Sequence, residues 1–257
     1  MELVRSALCL VALACLVLSP RAQEPSGPTQ AEVETTCRLL DAALGPEADP
    51  AGAREALKAA IGVPHADVVA RIAELGLRHK QPTIRESAVD ALGRLEHPDA
   101  LAALQAFLKS EKKSLEESPP RLAALLKAIA RHGQESSIPL LVQDAFQSPD
   151  RGVVSARILG LGRIRSRKSV DELVQLMRSA PRPRVADHMP EFRAALVVLT
   201  GEDKGTDQVL WLNWYGDHKS KLEIAPEPPA TLPPEIERRW NAFWGPERGQ
   251  KKRGREK

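Results

Sequence analysis

The six histidines are the side chains of this sequence best suited to binding a metal ion or transferring a proton. A helical zinc site needs two ligands four residues apart, and the HExxH motif adds a glutamate base between them. No histidine here has a histidine, aspartate or glutamate at that spacing, so surface and turn positions are expected for all six. They are His65, His79, His97, His132, His188 and His218.

An acidic segment near the C-terminus resembles a calcium-binding loop in composition. Glu202, Asp203 and Asp207 surround Gly205, but the spacing of an EF-hand and its distal glutamate are missing. Two interpretations are open: a cation site, or a turn in which Asp207 caps the helix that follows. The second is favoured, and no metal ligand is predicted.

The pair Gly160-x-Gly162 could begin a phosphate-binding loop, but it lacks the third glycine and a preceding strand. Small residues at these positions instead let neighbouring helices approach closely. No G-x-S-x-G elbow is present. The sequence therefore predicts no catalytic residue and no cofactor, and it favours a protein that is not an enzyme.

Composition limits the fold and the function. Of 257 residues, 42% are hydrophobic but only 4% are aromatic, which favours helices packed through small aliphatic side chains. The 28% of charged residues and the mean hydropathy of −0.30 exclude a polytopic membrane protein and wholesale disorder. The net charge of +3 is too small for a dedicated nucleic-acid binder, and no nucleic-acid partner is predicted.

Residues 1–22 are predicted to be a secretory signal peptide cleaved near Ala22. Arg5 precedes an apolar run of about 11 residues, which is too short for a membrane span of roughly 20. An uncleaved anchor and a lipoprotein acylated at Cys15 are the alternatives. Cleavage leaves Cys37 as the sole cysteine and no membrane span, and the mature protein is expected in the periplasm or outside the cell.

After a linker at residues 23–31, residues 32–222 contain a helical repeat. Three similar segments begin at Pro82, Pro119 and Arg151, at offsets of 37 and 32 residues. Each has two stretches with apolar residues at i, i+3, i+4 and i+7, which predicts two amphipathic helices. Weaker copies at residues 52–80 and 190–219 give about five hairpins. The aligned apolar positions of the second helices are Leu101, Leu104 and Leu108, then Ile138, Leu141 and Ala145, then Val170, Leu173 and Met177.

Polar residues mark the expected helix starts. Thr83-x-x-Glu86 and Ser169-x-x-Glu172 match capping boxes, and Asp99 is a candidate cap. Pro119 suits a first helical turn, where its missing N–H is harmless.

The string IRESAVDALGRLEHPDALAALQAFL, residues 84–108, resembles a HEAT repeat. The segment from Leu199 to Trp214 is similar to an ending of exported bacterial HEAT-repeat proteins. The resemblance implies an all-α solenoid whose second helices line a concave binding face, and a role as an interaction scaffold. The unit at Pro119 departs from the pattern because His132 stands where Leu95 does.

The C-terminal part changes character after residue 222. A proline-rich linker at 223–234 leads to a short amphipathic helix at 235–244, which either packs back on the solenoid or docks on another protein. The tail, 245–257, has six basic and two acidic residues. It is either a solvated end or a weak contact with an anionic envelope surface.

These observations predict an exported, non-catalytic scaffold that binds another protein through its second helices. The outward positions nominate a binding ridge. One alternative is envelope-polymer or carbohydrate binding on an aromatic platform, although a cap that seals the open end of the core is the favoured role for these rings. Another alternative is a non-catalytic subunit of an enzyme complex. The ridge residues are Gln143, Phe146, Asp171, Gln175 and Arg178, and the platform residues are Trp211, Trp214, Trp240 and Trp244.

Overall fold

A computed structural model of the chain describes residues 27–245, and every regular element within that range is helical. A π-helical turn, Ile72–Gly76, continues α3, and 3-10 turns precede α8 and follow α12. The predicted signal peptide with Cys15, residues 23–26 of the first linker and nearly all of the basic tail lie outside the described residues. Helices α1 to α13 span Gln30–Ala43, Pro50–Ala60, Ala66–Arg71, Pro82–Arg94, Pro98–Ser110, Lys112–Glu116, Pro119–Arg131, Ile138–Val142, Arg151–Arg163, Arg167–Ser179, Arg182–Thr200, Gln208–His218 and Pro234–Trp244.

The helices form two layers. Helices α2, α4, α7, α9 and α11 pack one on the next and form the first-helix layer. Helices α3, α5, α8, α10 and α12 follow them in turn and form the second-helix layer. Helix α1 packs on α2 and α3 at one end of the stack. The predicted all-α solenoid of about five hairpins is confirmed.

One continuous hydrophobic core runs through the stack. Eight of the nine aligned positions of the second helices belong to this core or pack against it, with Leu108 partly buried and the others buried. The ninth, Ala145, is buried outside that cluster. No single hairpin could bury both of its apolar faces, so neighbouring units stabilise each other.

Glycines set the separation of the first helices. A Cβ on Gly93 would lie 2.7 Å from Cβ of Ala128, and a Cβ on Gly162 would lie 2.7 Å from Cβ of Ala195. Real Cβ atoms do not approach so closely, so a side chain at either glycine would push the helices apart. Helices α4 and α7, and likewise α9 and α11, therefore pack with a glycine backbone directly against an alanine. The interpretation of Gly162 as a packing residue is confirmed.

Several helix starts differ from the sequence prediction. Pro82 occupies the first turn of α4, so that Gln81 is the N-cap and Thr83 lies inside the helix. Helix α10 begins earlier than expected, because Ser166 rather than Ser169 accepts the capping hydrogen bond. Before α5, the cap is Nδ1 of His97 and not the carboxylate of Asp99. The predictions for these three caps were wrong by two or three residues.

Helix α11 begins at Arg182, eight residues before the start expected at Pro190, which lies inside the helix. An internal proline costs a helix about 3 kcal/mol. Burial of Val185, Met189 and Phe192 in the core offsets that cost, since each such side chain contributes about 1.5–3 kcal/mol.

Candidate interaction surfaces

The nominated ridge is interrupted at the third unit. Helix α8 spans only Ile138–Val142, and Gln143 follows it as C-cap with extended ψ. Asp144 adopts a left-handed φ of 56°. Gln143 and Phe146 therefore lie in a loop beyond the helix, and the helical spacing that nominated them does not apply.

Arg157, on the next first helix, explains why α8 ends so early. Its Nη1 donates to three main-chain oxygens, at 2.8 Å from Leu140, 3.2 Å from Leu141 and 2.6 Å from Gln143. Carbonyl groups that accept hydrogen bonds from a buried guanidinium are less available for the N–H groups four residues later, which a continuing helix would require. The contact spans at least 14 residues, so local periodicity could not reveal it.

Phe146 faces the core. Its ring stacks on Phe192 at 6.3 Å between centroids and meets the ring of His188 edge-on at 6.0 Å. The prediction that Phe146 forms part of an outward ridge is corrected, because its ring seals the junction between the α8–α9 loop and α11.

The α10 part of the ridge lies together on the second-helix layer. Asp171 accepts a hydrogen bond of 2.8 Å from the hydroxyl of Tyr215, and Cζ of Arg178 lies 5.6 Å from the centre of the tyrosine ring. Gln175 is exposed between them. Burial, and then the bond to Asp171, raises the pKa of Tyr215, so the phenol stays a donor. The sequence did not predict this role of Tyr215, because it depends on residues of the neighbouring unit.

The four tryptophans do not form a platform. The exposed fractions are 0% for Trp211, 6% for Trp214, 5% for Trp240 and 6% for Trp244. A sugar or a peptide stacks on an open ring face, and these faces are covered by protein. The platform prediction is corrected: the first two rings seal the end of the core, and Nε1 of Trp211 donates to Gly205 O at 2.8 Å.

Helix α13 packs on the first-helix layer through Ile236, Trp240 and Trp244. Cζ3 of Trp240 lies 3.3 Å from the position that a Cβ on Gly162 of α9 would occupy. Because glycine has no side chain, the tryptophan ring can pack directly against α9. Such a short helix is marginal alone, and these contacts stabilise it. Of the two interpretations, packing back on the solenoid is the one observed.

Cations of α7 bind the C-terminal end of α13. The amine of Lys127 donates to the main-chain oxygen of Phe243, and Nη2 of Arg131 lies 3.4 Å from that of Trp244. Arg163 of α9 lies over the Trp244 ring, at 5.8 Å. The last carbonyls of a helix carry partial negative charge, which these cations complement.

A buried carboxylate lies beneath the other end of α13. Glu191 of α11 is 4% exposed, and its Oε1 is 3.1 Å from Arg151 and 3.3 Å from Arg239. His188 Nδ1 is 3.9 Å from Oε2. Burial lowers the pKa of His188, although Glu191 opposes that shift. Two guanidiniums compensate the buried charge, and one of them, Arg239, comes from α13. Glu191 therefore serves to hold α13 on the first-helix layer.

The acidic loop is a turn, as favoured. Asp203 receives two hydrogen bonds of 2.7 Å from Arg193 and a third of 2.9 Å from the N–H of Gly205. These bonds, with that of Arg193 the strongest, hold the pKa of Asp203 below its ordinary value. Asp207 caps α12 by accepting from Val209 N at 2.8 Å, which confirms the predicted cap.

A groove of about 1170 Å³ runs along the turns that join first to second helices. We call it the turn-edge groove. Its walls come from successive units and include the guanidiniums of Arg94, Arg131 and Arg163. Each is the last residue of its first helix, in α4, α7 and α9. The offsets of 37 and 32 residues between them are those of the repeat, and this signal was present in the sequence but overlooked.

One aspartate orders two of these arginines. Asp90 Oδ2 lies 2.9 Å from Arg94 Nε, and Oδ1 lies 2.6 Å from Arg131 Nη1. Burial raises the pKa of Asp90, but the hydrogen bonds from the two arginines outweigh burial and lower it overall. The side chain of Arg94 is 44% exposed and that of Arg131 14%.

Family models of HEAT repeats match residues 38–118 and 112–189, which together cover more than half of the sequence. The chain belongs to the HEAT-repeat family. The matched HEAT segments run from α1 into α11, and α12 and α13 follow them. A search of curated proteins gives no match.

The departure from the HEAT pattern at His132 is accommodated by a hydrogen bond. His132 Nε2 lies 3.1 Å from the main-chain oxygen of Leu92, on the preceding HEAT unit. Burial lowers the pKa of His132, which keeps the ring neutral beside the core. A polar bridge thus replaces the apolar contact of Leu95.

Two observations concern the HEAT helices as a group. Within residues 27–245, the His, Cys, Asp and Glu side chains form no group of three or more suited to a metal ion. In the same range, no helix combines the length and the apolar character required to cross a bilayer.

Proposed function

We propose that this HEAT-repeat protein is an exported, non-catalytic scaffold that binds another protein through its second-helix layer. The observation that supports it best is the ordered polar face of α10, where Gln175 is exposed between Asp171 and Arg178. Tyr215 contacts both flanking side chains. Side chains ordered before binding lose less conformational entropy when a partner arrives.

The ridge in this proposal is shorter than the one expected from sequence. Asp171, Gln175 and Arg178 form its centre, and Gln143 lies on the loop beside the short helix α8. The family supports a protein as partner, because stacked repeats present extended surfaces rather than deep pockets for small molecules.

Export is part of the proposal and depends on residues 1–22. Their positive N-terminal segment and short apolar run are typical of a cleaved signal, and Ala22 is the small residue at the expected cleavage site, although Pro20 at the −3 position departs from the usual pattern. The mature chain then has only Cys37, so the solenoid relies on packing rather than on disulfides. The basic tail would add a weak contact with an anionic envelope surface.

The test is photo-crosslinked capture of partners from the exported fraction of producing cells, using the purified mature chain. Gln175→Glu places a charge at the centre of the ridge and should reduce capture of the specific partner about tenfold. Gln30→Glu, a matched change at an exposed position of α1, should have no effect. Equal capture by both variants and the wild type would exclude this ridge.

A further inference from the structure

We infer that the turn-edge groove binds an acidic, extended polypeptide segment. The inference rests on the proposed role in protein binding, but it assigns a second surface, on the edge of the stack rather than on the second-helix layer. The residues it depends on are Arg94, Arg131 and Arg163, together with Glu96 and the polar side chains of the groove wall.

The charge of the groove favours an anion. Three guanidiniums from three consecutive units line it, and Glu96 is the single carboxylate among its described lining residues. Arg94 uses Nε to bind Asp90, at 2.9 Å. A guanidinium has five N–H donors in a planar fork, so Arg94 presents further donors in the geometry that a carboxylate accepts.

The spacing of the cations favours an extended chain. Packed helices lie about 8–10 Å apart, which sets the step between arginines at the same position of successive units. A polyproline helix rises about 3.1 Å per residue and repeats every three residues, or about 9 Å. Acidic residues at every third position would therefore keep step with the repeat, with Arg94, whose side chain is 44% exposed, as the principal contact. Gln105, Gln134 and Ser136 also line the groove and suit the main chain of such a peptide.

Other anionic ligands fit less well. Single-stranded nucleic acid binds by stacking bases on exposed aromatic rings, and Trp244, the one aromatic residue among the described lining residues, is 6% exposed. A membrane surface cannot enter a groove. The basic tail begins at Gly245, on the groove wall, and its charge is repelled by the arginines. The net positive charge of the tail would instead add to the long-range attraction of an acidic chain.

The probe is a fluorescein-labelled peptide with glutamate at every third position and proline-rich spacers. Its binding to the full mature chain is measured by fluorescence anisotropy at low and at physiological salt. Arg94→Gln should weaken binding about five- to tenfold. Glu96→Gln removes the opposing carboxylate and should tighten binding about threefold. Arg38→Gln, a matched change at an exposed position of α1 outside both surfaces, should leave the affinity unchanged.

Opposite shifts for Arg94→Gln and Glu96→Gln would support the groove, because a general loss of structure cannot tighten binding. Circular dichroism confirms that each variant is folded. Unchanged affinity for both variants would overturn the inference and assign any binding to the basic tail. A scrambled peptide, a single-stranded oligonucleotide of equal charge, or phosphatidylglycerol vesicles binding equally well would overturn the assignment to a spaced acidic polypeptide.

The groove and the ridge can fail separately. Gln175→Glu should leave peptide affinity unchanged while it reduces partner capture, and Glu96→Gln tests the groove alone. If the peptide binds as expected but Gln175→Glu captures as much partner as the wild type, the proposed ridge is wrong and the inference about the groove is still supported.

Discussion

Arg193 Nη2 lies 2.5 Å from Oε1 of Glu235, an ion pair that joins α11 to the start of α13. The same guanidinium makes two hydrogen bonds of 2.7 Å to Asp203, in the turn before α12. One side chain thus connects three consecutive elements at the end of the stack. Those bonds raise the pKa of Arg193 further above its ordinary value, so it is cationic at every accessible pH.

Arg193→Gln should lower the free energy of unfolding by about 1–3 kcal/mol, because a bidentate pair and a second carboxylate lose their cation. Chemical denaturation followed by circular dichroism measures the change. Arg238→Gln is the control, since the described contact of Arg238 is one 3.3 Å bond to the main chain of Pro234. Equal loss in both variants would contradict a specific role for Arg193.

Gly93→Ala should destabilise the protein by about 1–3 kcal/mol, although alanine is the better helix former. The new Cβ would meet Cβ and Cα of Ala128 at 2.7 and 2.8 Å. Gly216→Ala, inside α12, meets nothing within 4 Å and should instead stabilise by about 0.4–1 kcal/mol. Thermal melts of the two variants should move in opposite directions, and a shared direction would refute the packing argument.

Trp240→Ala should release α13 from the first-helix layer. Truncating a buried tryptophan costs about 3–5 kcal/mol. A helix as short as α13 is not stable without its packing contacts, so a loss of that size should detach it. Limited proteolysis should then cut the linker at 223–233 while the remaining core stays helical. Phe243→Ala, at a partly buried position, should be cut more slowly. Equal resistance of Trp240→Ala and the wild type would show that α13 is fixed by its polar contacts.

Stability should fall on mild acidification. Burial lowers the pKa of His132 and of His188 in the folded state. The unfolded chain binds protons at about pH 6.5, so it binds more protons than the folded chain below that value. The contribution is complete above about pH 6.5 and is lost as the pH falls through the lowered pKa values. Unfolding free energies at about pH 7.5 and about pH 5.5 test this, and equal values would contradict it.

The fold was predictable where the signal is local. Aligned apolar positions identified both layers, because each helix must turn one face to a shared core. The short α8 was not predictable, since Arg157 ends it from the following unit. Phe146 and the tryptophans were misplaced for a similar reason, because their burial depends on neighbours distant in sequence. The groove arginines repeat with the unit, but only the structure shows that they share one cleft.

Helix α13 crosses three first helices and is tied to each, through Lys127 on α7, Gly162 on α9 and Glu191 on α11. A repeat stack stretches like a spring when adjacent units slide slightly. In this molecule α13 lies across the last three first helices, so these units can slide only if contacts between α13 and at least one of them break. Under tension, elastic extension should therefore concentrate in the N-terminal half around α2 and α4, which α13 does not cross-link.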